Sequence, residues 1–419
     1  MRSLACSVLL YIAIAPGPAV FAFPQQRERV SQSFAVSAGG ILEMLVAGDI
    51  RIKTWEKDVV EVVAEAVPEE ERSRLVMFQK DQRVRVEYQP RRRRSNDVRF
   101  IAIVPSHFNL DLRTAGGDIV LETPLTGQIE GSTSGGDLRL AEVRGNVVLT
   151  TSGGDVRTTN ILGDAVLKTS GGDIEADTIG GDLQASTSGG DIRIMQVGKN
   201  LKASTSGGDV TVGDVGGDAT VSTSGGTIRM RKISGTATLK TSGGNLQIQG
   251  DIGGPVTIST TGSDIKLKAV KGSASLTTSG GDIEVHGARD TVVAKTSGGD
   301  IILREIEGSV EARTSGGDIL VELRPRGTGL STLATTGGDI SLFLPESASA
   351  TIEARIEIRG NWERHSRTSS IRSDFPAESH EMDAQQKEIR ARYVLGGGDQ
   401  RIILATINGN IAIKALRSR

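Results

Sequence analysis

An aspartate follows a Gly-Gly or Gly-Ser pair again and again through the middle of this 419-residue chain. The position is filled by Asp118, Asp137, Asp155, Asp173, Asp191, Asp209, Thr227, Asn245, Asp264, Asp282, Asp300, Asp318 and Asp339. The steps are 19, then 18 six times, then 19, then 18 three times, then 21. If the repeats stack as strands, roughly 4.8 Å apart, neighbouring carboxylates repel by about 1 kcal/mol in water. Two chemistries relieve that. Calcium is one, as in glycine- and aspartate-rich β-rolls, but one Asp per Gly-Gly is too sparse for a shell of six to eight oxygens. The other is hydrogen bonding, each Asp accepting backbone N–H groups at a corner of the chain. Thr227 and Asn245 favour this second reading, since both can make a turn bond and neither brings a charge.

A serine column runs in the same rhythm through Ser152, Ser170, Ser188, Ser206, Ser224 and Ser242. A nucleophilic serine needs a base within reach. The four histidines are His107, His286, His365 and His380, and only His286 falls in the regular repeats. Corner hydrogen bonding is the expected use of these serines. A flat threonine array would suggest ice binding, but the outward positions of the second face include Lys168, Ser186, Ser204, Ser222, Lys240, Thr277, Lys295 and Arg313, a mixed and charged set. Four arginines at 91–94 make a cationic patch that could meet anionic lipid or polysaccharide. A charged hairpin tip that resists edge pairing is the expected role. No residue is therefore assigned a catalytic, cofactor-binding or metal-ligating role, and no cofactor is expected.

The elements that hold these columns follow from the apolar pattern. In residues 173–190, Ile174 and Ala176 alternate with Glu175 and Asp177; after Ile179 and Gly180-Gly181, Leu183, Ala185 and Thr187 alternate with Gln184 and Ser186. Such alternation marks strands with one buried face. The same offsets give Ile192, Ile194, Val197, Leu201, Ala203 and Thr205 one repeat later. Each apolar position thus forms a column, and a repeat too small to bury its own face must stack on its neighbours. Glycine pairs mark two corners, read as turns with positive φ, so two main β-faces are expected, with room for a short third side around Ile179. A left-handed hexapeptide coil is disfavoured because Gly180 falls where that coil needs an aliphatic residue. The expected fold is all-β: a right-handed parallel β-solenoid with about 18 residues per coil and irregular β caps at both ends.

Residues 1–22 read as a signal peptide: Arg2, an apolar run over 8–14, and Ala22 before the cut. That run is too short to span a membrane. Cys6, the one cysteine, lies within the signal peptide, so the mature chain would have neither disulfides nor thiolate sites. Residues 30–113 are expected to form an N-terminal β cap, with 81–88 and 97–104 as a pair of strands joined through the arginines. Residues 114–345 form the regular solenoid and 346–419 a C-terminal irregular β cap. With 49 Lys+Arg against 51 Asp+Glu, nothing points to a nucleic-acid partner. Aromatics at 3% leave little for a sugar-stacking cleft.

The segment Gly48-Asp49-Ile50-Arg51-Ile52-Lys53-Thr54-Trp55, followed by Val59-Val60-Glu61-Val62, opens this pattern. Thr406-Ile407-Asn408-Gly409-Asn410-Ile411 closes it. With the Ser-Gly-Gly-Asp run between them, the chain resembles the putative-adhesin family of bacterial exported β-strand-repeat proteins, over nearly all of the mature chain. The resemblance implies adhesion and transfers no catalytic residue. The expected function is an exported, non-enzymatic structural or interaction module of the cell envelope, periplasmic, surface-bound or extracellular, with a protein or polysaccharide partner. The alternatives are a polysaccharide-acting β-helix enzyme, disfavoured because no long loops leave the coils, and a calcium-stabilised surface β-roll.

Overall fold

A computed structural model describes residues 29–91, 98–326, 328–360 and 362–416. The alternating segments form strands on two faces. Ile174–Ile179 pairs in parallel with Val156–Ile161 on one side and Ile192–Val197 on the other. Leu183–Ser186 does the same between Ala165–Lys168 and Leu201–Ser204. Partners are offset by one repeat, so Ile174 lies opposite Ile192 and Leu183 opposite Leu201. The result is a β-solenoid of about 13 turns.

The inward columns are dry. Ile174, Ala176, Ile179, Leu183 and Ala185 are all buried, in a core that continues through every coil. Asp177 and Thr178 both face outward, and Ile179 then turns back in as the last residue of its strand. The two-residue outward break bends the first strand, so Ile179 completes that face and makes no third side. The 19-residue step after Asn245 is absorbed as a register shift opposite Met230 and Ile233, where Leu246–Ile252 carries one extra residue.

The glycine pairs have a different cause from the one expected. None of the repeat pairs has positive φ; among the described glycines that conformation occurs only at Gly39, Gly48, Gly127, Gly360, Gly396 and Gly398. Stacking itself forbids a side chain. A Cβ on Gly172 would stand 2.1 Å from the Gly154 carbonyl oxygen of the coil before, and one on Gly181 2.1 Å from Asp164 Oδ1.

At both ends the spatial order departs from chain order. Ile41–Val46 and Asp49–Trp55 form a coil that stacks in register against Asn109–Thr114 and Ile119–Leu121. On its other side lies a coil made by Arg83–Tyr88 and Arg99–Pro105. These last two strands were expected to pair with each other. They lie on different faces instead, each beside a strand of the first coil; Arg92, Arg93 and Arg94 lie outside the described residues, as does the expected signal peptide at 1–22. Antiparallel strands Val59–Glu65 and Leu75–Lys80 then cover this end.

The other end mirrors the arrangement. Gln400–Ile407 and Ile411–Ala415 stack on Leu330–Ala334 and Ile340–Leu344. Ala350–Glu357 lies beyond them, covered by the antiparallel Glu388–Leu395 and Ser379–Asp383. Antiparallel outer strands break the parallel register that a second solenoid would need to add on. Among the described residues no helix is long and apolar enough to cross a membrane.

Candidate functional site

The aspartate column is a continuous hydrogen-bonded ladder. Each carboxylate accepts the backbone N–H of the residue at the same position in the next coil. Asp155 donates to Asp137 Oδ1 at 2.8 Å, Asp173 to Asp155 at 2.9 Å, Asp191 to Asp173 at 2.8 Å and Asp209 to Asp191 at 2.8 Å. The ladder is therefore built between coils, where a turn bond within one corner had been expected. It reaches into both end coils: Asp118 donates to Asp49 Oδ1 at 3.2 Å, and Asn410 to Asp339 Oδ1 at 2.7 Å. At Thr227 it pauses, since Thr227 donates to Asp209 at 2.8 Å and carries no carboxylate to pass on.

From Asp118 to Asp209 the second carboxylate oxygens are turned to arginines of the same coil or the next. Arg193 reaches Asp191 Oδ2 at 2.6 Å and Asp173 Oδ2 at 3.5 Å. Arg139 bridges Asp137 and Asp118 in the same way. Arg157 joins Asp155 Oδ2 at 3.0 Å to Glu175 Oε2 at 2.9 Å, and the bond to Glu175 raises its pKa further. Carboxylate repulsion is thus relieved by N–H donors on one oxygen and guanidinium on the other. Among the described residues no group of three His, Cys, Asp or Glu side chains is placed to hold a metal ion.

Two further ladders were not legible as such in the sequence. The threonine before each Ser-Gly-Gly is buried, and its hydroxyl works. Thr205 Oγ1 donates to the Gly190 carbonyl at 2.9 Å and accepts the Gly208 N–H at 3.3 Å. The pair recurs from Thr133 through Thr335, except at Thr260, whose hydroxyl is unpaired. At the second corner Asn146, Asp164, Asp182, Asn200 and Asp218 form a shorter ladder, each accepting an N–H from the next coil at 2.7–3.0 Å. The signal for both was a residue type held at constant offset from the glycines.

The serines play no such part. Ser152, Ser170, Ser188, Ser206, Ser224 and Ser242 are exposed, and it is their backbone carbonyls that accept inter-coil bonds, as Gly189 N to Ser170 O at 3.1 Å. His286 Nε2 lies 2.9 Å from Glu284 Oε1. Ser106 Oγ lies 3.3 Å from His107 Nδ1, an exposed contact between sequence neighbours with no carboxylate bonded to the imidazole.

The Toastrack DUF4097 family model matches residues 44–216, 198–301 and 290–414. The chain belongs to this family. The matched span runs from one end coil to the other, and its overlapping pieces reflect a Toastrack stack whose register repeats. No curated protein matches the chain. A putative adhesin from Bacteroides fragilis NCTC 9343 is similar at 19% identity, with a TM-score of 0.30, over 56% of this chain and 97% of that one. A putative adhesin from Parabacteroides distasonis ATCC 8503 is similar at 13% identity, TM-score 0.28, over 62% and 98%. A putative lipid binding protein from the same Parabacteroides strain shows 12% identity, TM-score 0.21, over 75% and 93%.

On the outer surface of this Toastrack chain, the side chains expected to face out do so: Lys168, Lys240, Thr277 and Arg313 are exposed and Ser186, Ser204, Ser222 and Lys295 half-buried. A second outward column, missed in the sequence, sets Thr220, Thr238, Thr257 and Ser275 in register beside them.

Proposed function

We propose that this chain is an exported, non-enzymatic, adhesin-like interaction module of the cell envelope. In this reading residues 1–22 direct export, 30–113 and 346–419 close the ends, and 114–345 present surface to a protein or polysaccharide ligand. One observation carries it. The side chains best suited to chemistry, the aspartate Oδ1 and threonine Oγ1 atoms, are consumed in bonding coil to coil. What remains free is the set of outward positions, which change from coil to coil without disturbing the stack, as a recognition surface requires.

The test is fractionation of the native producing cells, with N-terminal sequencing of the recovered chain and assay of the purified protein against envelope polysaccharides. A chain beginning at Phe23, outside the cytoplasm, that binds isolated envelope saturably and releases no sugar supports the reading. Turnover of any polysaccharide, or retention in the cytoplasm with residues 1–22 intact, overturns it.

A further inference from the structure

The aspartate ladder loses its charge at two consecutive coils, Thr227 and Asn245. On the outer surface of the first face, those coils and the next carry Arg229 and Arg231, then Gln247 and Gln249, then Lys266 and Lys268, all six exposed. Arg229 lies opposite Gln247 and Gln247 opposite Lys266; one inward residue further along each strand, Ile248 lies opposite Leu267. The six side chains therefore make a three-row grid whose first column, Arg229, Gln247 and Lys266, is in register and whose second, Arg231, Gln249 and Lys268, is displaced by the extra residue of Leu246–Ile252.

Arg231 is paired with Asp214 through two contacts, so the uncompensated charge on this grid is carried by the lysines. Elsewhere on the face, arginines such as Arg139 and Arg193 each bridge two ladder carboxylates. Here Arg229 has only Asp209 at 3.4 Å, and Arg231 has Asp214 at 2.7 Å. Among the described residues the side chains of Lys266, Lys268 and the adjacent Lys232 form no ion pair or hydrogen bond. Next to the grid, beside Gly213, lies a shallow hollow of about 350 Å³ lined on the outer surface by Met195, Thr211, Arg229, Arg231 and Gln249. Met195 is 66% exposed there.

We infer that this grid binds a linear acidic polysaccharide lying along the stack, with one anionic group per disaccharide; the inference rests on the interaction-module reading above. Arg229 and Lys266, in register through Gln247, stand two coils apart, roughly 9.6 Å at about 4.8 Å per coil, which is close to the length of a disaccharide. Gln247 and Gln249, on the coil between, offer amide donors and acceptors where a glycan presents hydroxyls. The exposed Met195 beside the hollow suits the C–H face of a sugar ring. No aromatic side chain stands on the grid, so the stacking platforms of single-stranded nucleic-acid sites are missing.

The test is affinity electrophoresis of the full exported chain through gels holding hyaluronan, polygalacturonate or neutral dextran, with oligodeoxythymidylate and phosphatidylglycerol vesicles as competitors. Hyaluronan should retard the protein more than polygalacturonate, which is charged on every sugar, and dextran should not retard it. Lys266→Gln/Lys268→Gln should weaken retardation at least tenfold with an unchanged melting temperature, and salt should do the same. Lys202→Gln/Lys240→Gln, which removes two exposed charges from the other face, should change nothing. No retardation by hyaluronan, equal loss in both double variants, or displacement at lower concentration by the oligonucleotide or the vesicles overturns the inference. If Lys266→Gln/Lys268→Gln binds isolated envelope as the unaltered protein does, this site is wrong while the interaction module stands; if neither protein binds envelope, both fail.

Discussion

The backbone N–H of Asp191 donates to Asp173 Oδ1, and the Asp191 carboxylate in turn accepts the N–H of Asp209, both at 2.8 Å. Each aspartate is thus a clamp between its own coil and the next. Asp191→Asn keeps an acceptor at this position, as Asn245 does where it accepts from Asp264 at 3.4 Å, and should cost little beyond the pairing with Arg193. Asp191→Ala should cost about 1 kcal/mol, the usual worth of a lost hydrogen bond. Urea unfolding checks the order, and calcium should raise the melting temperature little. A chelator-sensitive transition would show instead that the ladder takes a cation.

Thr205 makes a stronger case because the buried side chain holds two half-buried backbone groups at once. Thr205→Val fills the same space yet leaves the Gly190 carbonyl and Gly208 N–H without the hydroxyl. The expected cost is about 1–3 kcal/mol. Thr205→Ser keeps the bonds and loses one methyl, so it should cost less than the valine. The reverse order in chemical unfolding would show that packing, not the hydroxyl, sets this column.

The core columns set the facing of every other residue. Ile192 is fully buried and Arg193 points outward. Ile192→Asp should prevent stable folding, since it leaves an unpaired charge among apolar neighbours above and below. Arg193→Asp looks harmless from alternation alone. The structure makes it costlier than an ordinary surface change, because Arg193 bridges Asp173 and Asp191 and the variant would add a third carboxylate between them. Arg193→Gln should be mild, and melting temperatures of the three variants should rank in that order.

These cases show how far the residues alone reach. Alternation gave the two faces and their columns, because side-chain direction is a local property of a strand. The aspartates were visible by position, but their partner sits one repeat away, and only the stacking register brings the two together. Thr205 was read as one more inward residue, since nothing local tells a packed methyl from a bonded hydroxyl. The end coils were harder still. Gly48-Asp49 and Gly409-Asn410 repeat the corner signal in isolation, yet their stacking next to Asp118 and Asp339 depends on a chain path that leaves sequence order.

On the second face, Glu311 lies 3.0 Å from both Lys295 Nζ and Arg313 Nε. These bonds, Lys295 first, hold its carboxyl below the usual range. A carboxyl lowered by folding contributes stability above its unfolded pKa, and the contribution is lost as pH falls through the lowered folded value. The group is exposed enough that solvent screens it, so Glu311→Gln should cost no more than about 0.2–1 kcal/mol at pH 7. The difference between the two proteins should shrink below pH 4 and in high salt. A gap that widens on acidification would contradict the assigned pairing.

The two glycines of one corner should respond differently to the same substitution. A Cβ on Gly208 would stand 2.1 Å from the Gly190 carbonyl oxygen and 2.7 Å from Asp191 Oδ1. Neither atom can retreat, since Gly190 O accepts from Thr205 and Asp191 Oδ1 accepts from Asp209. Gly208→Ala must therefore push adjacent coils apart or break both ladders at once. A Cβ on Gly207 would come no closer than 3.3 Å to any atom, the Gly189 carbonyl oxygen, on the exposed side of the corner. A shift of a few tenths of an ångström accommodates it, and alanine also restricts the unfolded chain, which offsets part of the cost. Gly207→Ala should then stay within about 1 kcal/mol of the unaltered protein. Gly208→Ala should lose several kcal/mol, in line with forced overpacking at a site that cannot relax. If the glycines were present for positive φ, both variants would suffer alike. Equal, large losses in urea unfolding would restore that explanation and remove the argument from close stacking.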